Sequence, residues 1–91
     1  MARILYTDGY VKKARRFIKK HPELISQYKK TLTLLELNPL HPSLRLHKLE
    51  GRFKDLHSVS INITYRISIE LLLENDTIIP INIGAHDATY G

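Results

Sequence analysis

The residue types best suited to chemistry lie at the end of the chain and in one apolar segment before it. A polar tail with His86, Asp87 and Tyr90 follows directly on apolar residues 78–83, and Arg66 lies inside the preceding apolar run. If the two runs pair as antiparallel strands, a permanent cation and an imidazole with an unperturbed pKa of about 6.5 meet at one end of a small sheet. Such a pair is the minimum needed to cleave RNA without a metal ion. A tail that carries an ordinary surface histidine explains the same spacing.

Cleavage of RNA by the ribose 2′-hydroxyl needs a base, a cation and an acid. The base takes the 2′ proton, the cation stabilises the charged phosphorane, and the acid protonates the departing 5′ oxygen. Histidine serves as base or acid near neutral pH, and arginine matches phosphate oxygens with two parallel N–H groups. The candidates on the predicted polar face and tail are Arg45, His47, Arg66, His86, Asp87 and Tyr90, with Lys48, Arg52 and Lys54 nearby.

Each of the main candidates also has a structural explanation. Arg66 can pair with Glu70 or with a neighbouring strand, and His47 can be a half-exposed strand residue. Asp87 can hydrogen-bond the tail, and Tyr90 can pin the tail to the body of the protein. The sequence alone leaves both the chemical and the structural roles open.

Other reaction classes lack their sequence patterns. There is no glycine-rich phosphate loop, no helical H-E-x-x-H and no serine nucleophile elbow. The five histidines have no metal-ligand spacing and cysteine is absent, so we expect no metal, no disulfide and no cofactor. His21 and His41 precede prolines and are predicted to lie in loops, whereas His57 is predicted to face the core with a structural role.

Length and charge limit the classes of protein and partner. The 91 residues suffice for a modest core, so we expect a single domain over residues 1–91. Nine Lys/Arg and three Asp/Glu give residues 1–44 a charge of +6, whereas residues 45–91 carry −1. The basic excess in the first predicted helix consists of Lys12, Lys13, Arg15, Arg16, Lys19 and Lys20. Such a cluster favours a nucleic-acid partner, although a solvated helix face also explains it.

The sequence shows neither a signal peptide nor a membrane segment. The longest apolar run is interrupted by Arg66 and Glu70 and is too short to span a bilayer. The first residues lack the apolar core and cleavage site of a secretion signal. We therefore expect a soluble, cytoplasmic protein that has no membrane partner.

The hydrophobic pattern of the first half predicts one strand and two helices. Residues 3–7 are short, apolar and β-prone, and Thr7 or Asp8 can cap the helix that follows. Its apolar residues at helical spacing are Val11, Ala14, Phe17 and Ile18. His21-Pro22 ends this helix, because proline disfavours helical backbone in the residue before it, and Pro22 can open a second helix. The second apolar stripe consists of Leu24, Ile25, Tyr28, Leu32 and Leu35.

Short strands are predicted from residue 44 onward. Residues 44–49 alternate between apolar and polar types, and a turn at residues 50–52 follows. We expect one continuous strand over residues 57–73, because the apolar positions from 59 to 71 are odd-numbered; two strands joined at residues 62–64 are the alternative. Asn75-Asp76 predicts a hairpin turn before a last strand at residues 77–83. Pro80 argues against full pairing of that strand within a sheet, since proline has no N–H to donate.

The predicted fold class is α+β with the order β-α-α-β-β-β, and an extra strand near residues 53–54 is the alternative. Two antiparallel helices pack on one face of a small, mainly antiparallel sheet. The residues predicted on the opposite face are Arg45, His47, Ser60, Asn62, Arg66 and Ser68. This face suits a binding surface, and an open sheet with one solvated face is also common by itself.

Four segments in this order resemble the RelE/ParE toxin superfamily. They are L-H-K-L-E-G at residues 46–51, S-I-N at 60–62, Y-R-I at 65–67 and I-G-A-H-D-A-T-Y at 83–90. The resemblance spans essentially the whole chain and includes its size, its basic charge and the predicted element order. Within the superfamily, the motifs look most like the RelE and YafQ-type toxins of bacterial type II toxin–antitoxin modules.

The resemblance implies a microbial-ribonuclease-like fold, metal-free cleavage of mRNA in the ribosomal A site and an acidic antitoxin partner. By position, His47 matches a catalytic histidine of YafQ-like toxins, and Arg66 matches the arginine that RelE-like toxins place on the phosphate. His86 matches the C-terminal general acid of YafQ- and YoeB-like members, and Tyr90 matches their terminal aromatic residue. The basic helices are then expected to contact ribosomal RNA.

The chain departs from the YafQ pattern at two positions. A second histidine and an aspartate of YafQ-like toxins fall on Ser60 and Thr64, and neither side chain acts as a base near neutral pH. His47 is therefore the first choice for the general base, and Asp87 is the second. Two further interpretations stay open: ParE-like inhibition of DNA gyrase by binding, and an inactive relative that only binds its antitoxin.

Overall fold

Two helices and a five-stranded sheet form the part of the chain that the computed structural model describes, namely residues 2–53, 55–72 and 75–85. The helices are α1 (Asp8–Lys20) and α2 (Ile25–Leu37). The strands are β1 (Arg3–Ile4), β2 (His47–Lys48), β3 (His57–Ser60), β4 (Tyr65–Leu72) and β5 (Thr77–Ala85). Short 3₁₀ turns occupy Pro22–Leu24, Pro42–Leu44 and Gly51–Phe53.

The sheet has the strand order β1-β5-β4-β3-β2, with the helices packed on one of its faces. β1 pairs with β5 in parallel, and every other neighbouring pair is antiparallel. The core between helices and sheet contains Tyr10, Phe17, Leu35, Val59, Ile67, Ile69, Ile78 and Ile83. The predicted α+β class, with two helices on a mainly antiparallel sheet, is confirmed.

The first helix begins and ends where the sequence predicts. The Thr7 hydroxyl oxygen accepts a hydrogen bond from the Tyr10 backbone N–H at 3.1 Å, so Thr7 rather than Asp8 is the N-cap. Tyr10, Ala14 and Phe17 lie on the buried face. The helix stops before His21, because the next residue is Pro22.

The second helix is joined to the first through a pair of tyrosines. Pro22 opens one 3₁₀ turn, and α2 itself begins after that turn, at Ile25, and not at Pro22 as predicted. The Tyr10 and Tyr28 hydroxyls lie 2.9 Å apart, and burial raises the pKa of both phenols. This hydrogen bond fixes α2 against α1.

Neither helix is long and apolar enough to cross a membrane within the described ranges.

The prediction of one continuous strand over residues 57–73 is wrong, because a hairpin divides it into β3 and β4. The Asn62 side chain accepts hydrogen bonds from the Thr64 and Tyr65 backbone N–H groups at 2.9 and 2.8 Å, which builds the turn. Ser60 pairs with Arg66, so even-numbered positions face even-numbered ones across the hairpin. The alternation is therefore the same as in a single strand, and periodicity could not separate the two.

Three further strand predictions are corrected. β1 covers two residues instead of residues 3–7, and β2 covers two instead of residues 44–49. β2 is short because a 3₁₀ turn ends at Arg45, whose φ of 50° is left-handed. Phe53 lies in a 3₁₀ turn and not in an extra strand, while Lys54 lies outside the described residues. The predicted turns at Gly51 and Asp76 are confirmed by φ angles of 68° and 48°.

Pro80 lies in a central strand, where a β-bulge accommodates it. Ser68 pairs with Asn82 and Ile69 with Pro80, so Ile81 is an extra residue on β5. The bulge interrupts the ladder where Pro80 has no N–H to donate, as the sequence suggested. Beyond the bulge, β4 and β5 pair regularly as far as Tyr65 and Ala85.

Candidate functional site

Strand register aligns two rows of residues on the face opposite the helices, which we call the polar face. One row contains Ser60, Arg66 and Gly84, and the next contains His47, Ser58, Ser68 and Asn82. The sequence prediction that His47, Ser60, Arg66 and Ser68 share this face is confirmed. The face is not simply open to solvent, however, because Ser58, Ser60 and Ser68 are buried.

Arg66 has a buried donor without an acceptor. Its Nε atom is inaccessible to solvent and has no hydrogen-bond partner. Within the described ranges no ion pair joins Arg66 to Glu70, which was one of the two structural pairings considered for this arginine. Across β5 its neighbour is Gly84, which presents no side chain. A buried N–H with no acceptor usually costs about 1–3 kcal/mol, which favours an acceptor that comes from a ligand.

His47 is held in one tautomer by the backbone before it. Its Nδ1 atom lies 3.0 Å from the Arg45 carbonyl oxygen. Because a carbonyl oxygen only accepts, Nδ1 carries the proton, and the lone pair of the neutral ring is on Nε2. The left-handed backbone of Arg45 precedes β2 and orients this carbonyl. In that tautomer, Nε2 is the ring nitrogen of His47 that can accept a proton.

The separation of His47 from Arg66 follows from the register. His47 lies two strands away from Ser68, and Ser68 lies two residues along β4 from Arg66. With strands about 4.8 Å apart and a rise of about 3.3 Å per residue, the Cα atoms are about 12 Å apart. Both side chains are on the same face, so they can approach one phosphodiester from two sides.

A second arginine approaches the Arg66 row from the β3 side. Arg45 lines a cavity of about 260 Å³ together with Ser43, Ser60 and Asn62. Ser60 is the residue that pairs with Arg66, so the cavity adjoins that row. Arg45 precedes β2 and is not a strand residue, contrary to prediction, but it remains beside the polar face.

His57 lies on the helix side of the sheet, as the sequence predicted. It pairs with Ile69, and its Nδ1 atom is buried without a partner. Burial lowers the pKa of this imidazole, and the nearby Lys48 and His47 lower it further. The lowered pKa favours the neutral imidazole, which suits a structural residue.

The predicted RNA-contacting residues on α1 are all exposed: Lys12, Lys13, Arg15, Arg16, Lys19 and Lys20. Lys13 Nζ donates to the Ile81 carbonyl oxygen at 3.3 Å, at the bulge of β5. Lys48 and Arg52 are exposed on β2 and in the turn after it. Of these cations, Lys13, Arg16 and Lys20 lie on the side of α1 that faces the end of the sheet where Arg66 lies.

Two residues that the sequence assigned no chemical role line a groove at this end of the sheet. His21 and Tyr65 face each other with ring centroids 4.7 Å apart. The groove has a volume of about 390 Å³, and Lys13, Arg16 and Lys20 also line it. The spacing of four residues between Phe17 and His21 could have indicated that the two rings lie on the same side of the helix. The proline after His21 led instead to the prediction of a loop residue.

The remaining candidates, His86, Asp87, Tyr90 and Lys54, lie outside the described residues. β5 ends at Ala85, the residue before His86, and Ala85 pairs with Tyr65. Over the described parts of the chain, no three His, Asp or Glu side chains are arranged to hold a metal ion. The described part of the site thus consists of Arg66 and His47 on the polar face and Arg45 beside it.

Comparison with known proteins relates this fold to bacterial toxins. No protein-family model matches the sequence, and none of the curated proteins is significantly similar to it. Among solved structures, YafQ from E. coli is similar with a TM-score of 0.78 and 19% identity, and 100% of both chains is covered. The chain has the YafQ fold.

Two toxin–antitoxin complexes contain chains of the same fold. A chain of the E. coli DinJ-YafQ toxin-antitoxin complex has a TM-score of 0.76 and 22% identity, covering 99% of this chain and 98% of that one. A chain of the YoeB-YefM complex from Staphylococcus aureus has a TM-score of 0.71 and 15% identity, with 94% and 98% covered. The fold that the resemblance to the RelE/ParE superfamily implies is thus confirmed.

Proposed function

We propose that this chain is the toxin of a type II toxin–antitoxin module and that it cleaves mRNA on the ribosome. The fold that it shares with chains of the DinJ-YafQ and YoeB-YefM complexes supports the toxin assignment. The motifs ending in I-G-A-H-D-A-T-Y support a YafQ-like nuclease within that fold.

The observation that carries the nuclease proposal is the buried, unpartnered Nε of Arg66. A structural arginine satisfies its donors with protein acceptors, whereas this one keeps a buried donor for an acceptor from outside. A phosphate group provides such acceptors and the charge to match. The neighbouring glycine on β5 leaves the space beside the guanidinium without a competing side chain.

The proposed reaction is an in-line displacement at phosphorus. Residues of the polar face provide the base and the cation, and the tail provides the acid. Nε2 of His47 takes the proton of the 2′-hydroxyl as the 2′ oxygen attacks phosphorus. Arg66 stabilises the charge that develops on the phosphorane oxygens. His86 gives its proton to the 5′ oxygen as the P–O5′ bond breaks. One fragment then ends in a 2′,3′-cyclic phosphate and the other begins with a 5′-hydroxyl.

Asp87 and Tyr90 have supporting roles in this scheme. Asp87 orients the imidazole of His86 or serves as an alternative base, and Tyr90 packs against a base of the substrate. Both roles rest on the motif and not on a described contact. Ser60 and Thr64 are poor bases, so the catalytic set is incomplete compared with that of YafQ-like toxins. The ribosome compensates by holding the mRNA in the shape that the reaction needs.

The partners follow from charge. Six exposed Lys and Arg residues on α1 suit the phosphates of ribosomal RNA. The same basic surface suits an acidic antitoxin segment that folds as it binds and covers the site. A protein that acts on translating ribosomes works in the cytoplasm.

Inducible expression in bacteria tests this proposal with two readouts. We expect the wild type to stop growth and the incorporation of labelled amino acids, and we expect His86→Ala to do neither at equal soluble expression. An Arg3→Ala variant, changed at an exposed residue of the edge strand, should remain toxic. Toxicity retained in His86→Ala would refute the catalytic role of His86. Growth arrest with continued translation and an induced DNA-damage reporter would instead identify a gyrase inhibitor.

A further inference from the structure

Three aromatic rings form a wall at the end of the sheet where β4 begins. The Tyr65 ring meets Phe17 edge-on at a centroid distance of 5.1 Å and His21 at 4.7 Å. Phe17 and His21 are 4.8 Å apart. Phe17 is buried in the core, whereas 27% of the His21 side chain is exposed and Tyr65 is half-buried. Phe17 therefore supports the other two rings, which face the groove.

Three cations from one side of α1 complete the groove. Lys13, Arg16 and Lys20 follow one another at helical spacing and are all exposed. No acidic residue lines the groove within the described ranges. The carboxylate of Glu23 lies 3.6 Å from Nδ1 of His21. Among the described residues, the groove thus has an aromatic wall on one side and positive charge without a lining carboxylate on the other.

This combination is the one that single-stranded RNA sites use. Bases of single-stranded RNA stack on aromatic side chains while lysine and arginine contact the backbone. A patch that only attracted polyanions would not require aromatic rings along the groove, and a purely structural ring cluster would not require surrounding cations. The volume of about 390 Å³ lies within the usual range of ligand sites.

The groove is continuous with the proposed cleavage site. Tyr65 and Arg66 are neighbours on β4, so their side chains point to opposite faces of the sheet from the same end. An RNA strand that passes around this end can contact Arg66 on one face and the aromatic wall on the other. Ala85, which also lines the groove, is the last residue before His86.

We infer that this groove binds the RNA segment next to the scissile phosphate, with one base stacked on Tyr65 and His21. The flanking phosphates contact Lys13, Arg16 and Lys20. The inference rests on the proposed function, since it extends the RNA path of the same active site. It adds Tyr65 and His21 as substrate-binding residues.

Binding can be measured apart from cleavage with a labelled six-nucleotide RNA that carries 2′-O-methyl riboses. This probe has no 2′-hydroxyl to attack the phosphate, so fluorescence anisotropy reports affinity alone. The comparison probe is the matching sugar–phosphate oligomer without bases. We expect the wild type to prefer the probe with bases, and Tyr65→Leu to lose about 5-fold to 100-fold of its affinity for that probe only. Tyr65→Phe should keep it.

Charge variants test the other wall and guard against misfolding of Tyr65→Leu. Lys20→Ala should reduce the slope of log affinity against log salt by about 0.7, the value for one phosphate contact on a single strand. Lys30→Ala, which removes the same charge from α2 away from the groove, should leave the slope unchanged. His21→Ala, at the other ring of the aromatic wall, should also weaken binding of the base-containing probe.

Each outcome separates the groove from the nuclease. Equal loss of affinity for both probes in Tyr65→Leu, or equal effects of Lys20→Ala and Lys30→Ala, would overturn the assignment of the groove as an RNA-binding site. This holds even if the wild type cleaves mRNA. Base-dependent binding by a wild type that leaves mRNA intact would uphold the groove and refute the nuclease. Tighter, Tyr65-dependent binding of an acidic peptide of equal charge would make the groove a protein-docking site and overturn the RNA assignment.

Discussion

Replacing Arg66 by methionine should make the protein more stable and less active. Methionine keeps the unbranched stem of the side chain and removes the guanidinium. In the folded state the buried Nε has no acceptor, and such a donor costs about 1–3 kcal/mol. Because Arg66 is only half-buried, its outer N–H groups keep part of their hydration. We therefore expect Arg66→Met to raise the free energy of unfolding by about 1–2 kcal/mol.

The loss of activity should be much larger than the gain in stability. Removing one preorganised donor from developing charge usually lowers the rate about 10²-fold to 10³-fold, or about 3–4 kcal/mol of barrier. Stability is measured by urea denaturation and melting temperature, where about 1–2 kcal/mol corresponds to roughly 5–15 °C for a domain of this size. Activity is measured as the rate of mRNA cleavage during translation.

Arg3→Met provides the matched control. Arg3 belongs to the same sheet but is exposed on the edge strand β1, so the same substitution should change stability by no more than about 0.5 kcal/mol. A clear loss of stability in Arg66→Met would refute the reasoning, because it would show that the guanidinium is satisfied within the protein. Cleavage at the wild-type rate would refute its role on the phosphate.

Three further substitutions test the frame that holds the site. Thr7→Ala removes the cap of α1 and should cost about 1 kcal/mol of unfolding free energy in urea denaturation. Tyr10→Phe breaks the 2.9 Å hydroxyl contact with half-exposed Tyr28 and should cost about 0.5–1.5 kcal/mol by the same measurement; no loss would mean that the contact does not fix α2. His57 has a lowered pKa in the folded protein, so below about pH 6.5 the unfolded chain binds a proton that the folded chain does not. The free energy of unfolding therefore decreases as the pH decreases. His57→Gln should lose less stability than the wild type between about pH 7.5 and pH 5.5, and parallel pH profiles would contradict this.

The sequence predicts the layers of this fold better than its strand boundaries. Thr7 and Pro22 set the ends of α1 through local chemistry that the sequence displays directly. Alternation gave the correct faces for β3 and β4 but not the hairpin between them, because even positions pair with even positions across it. Asn62 was the missed signal, since its side chain closes the turn through bonds to Thr64 and Tyr65.

The sequence could predict which residues of the site share one face of the sheet, but not their contacts. The pattern placed His47 and Arg66 on one side of the sheet, and the register agrees. It could not show that Arg66 lacks a protein acceptor, because that depends on packing from several strands. His21 was missed for a similar reason: its contact with Tyr65 joins residues 44 positions apart, which no local pattern reveals.

Cell-free translation followed by primer extension on the mRNA tests ribosome-dependent cleavage most directly. Purified wild type should produce cuts within codons only while ribosomes translate, with products that end in a cyclic phosphate. His86→Ala and Arg66→Met should leave the same message intact, and Arg3→Met should cut it like the wild type. Intact mRNA and normal translation, with wild-type protein that is toxic in cells, would contradict the nuclease proposal. The next assay would then be DNA supercoiling by gyrase.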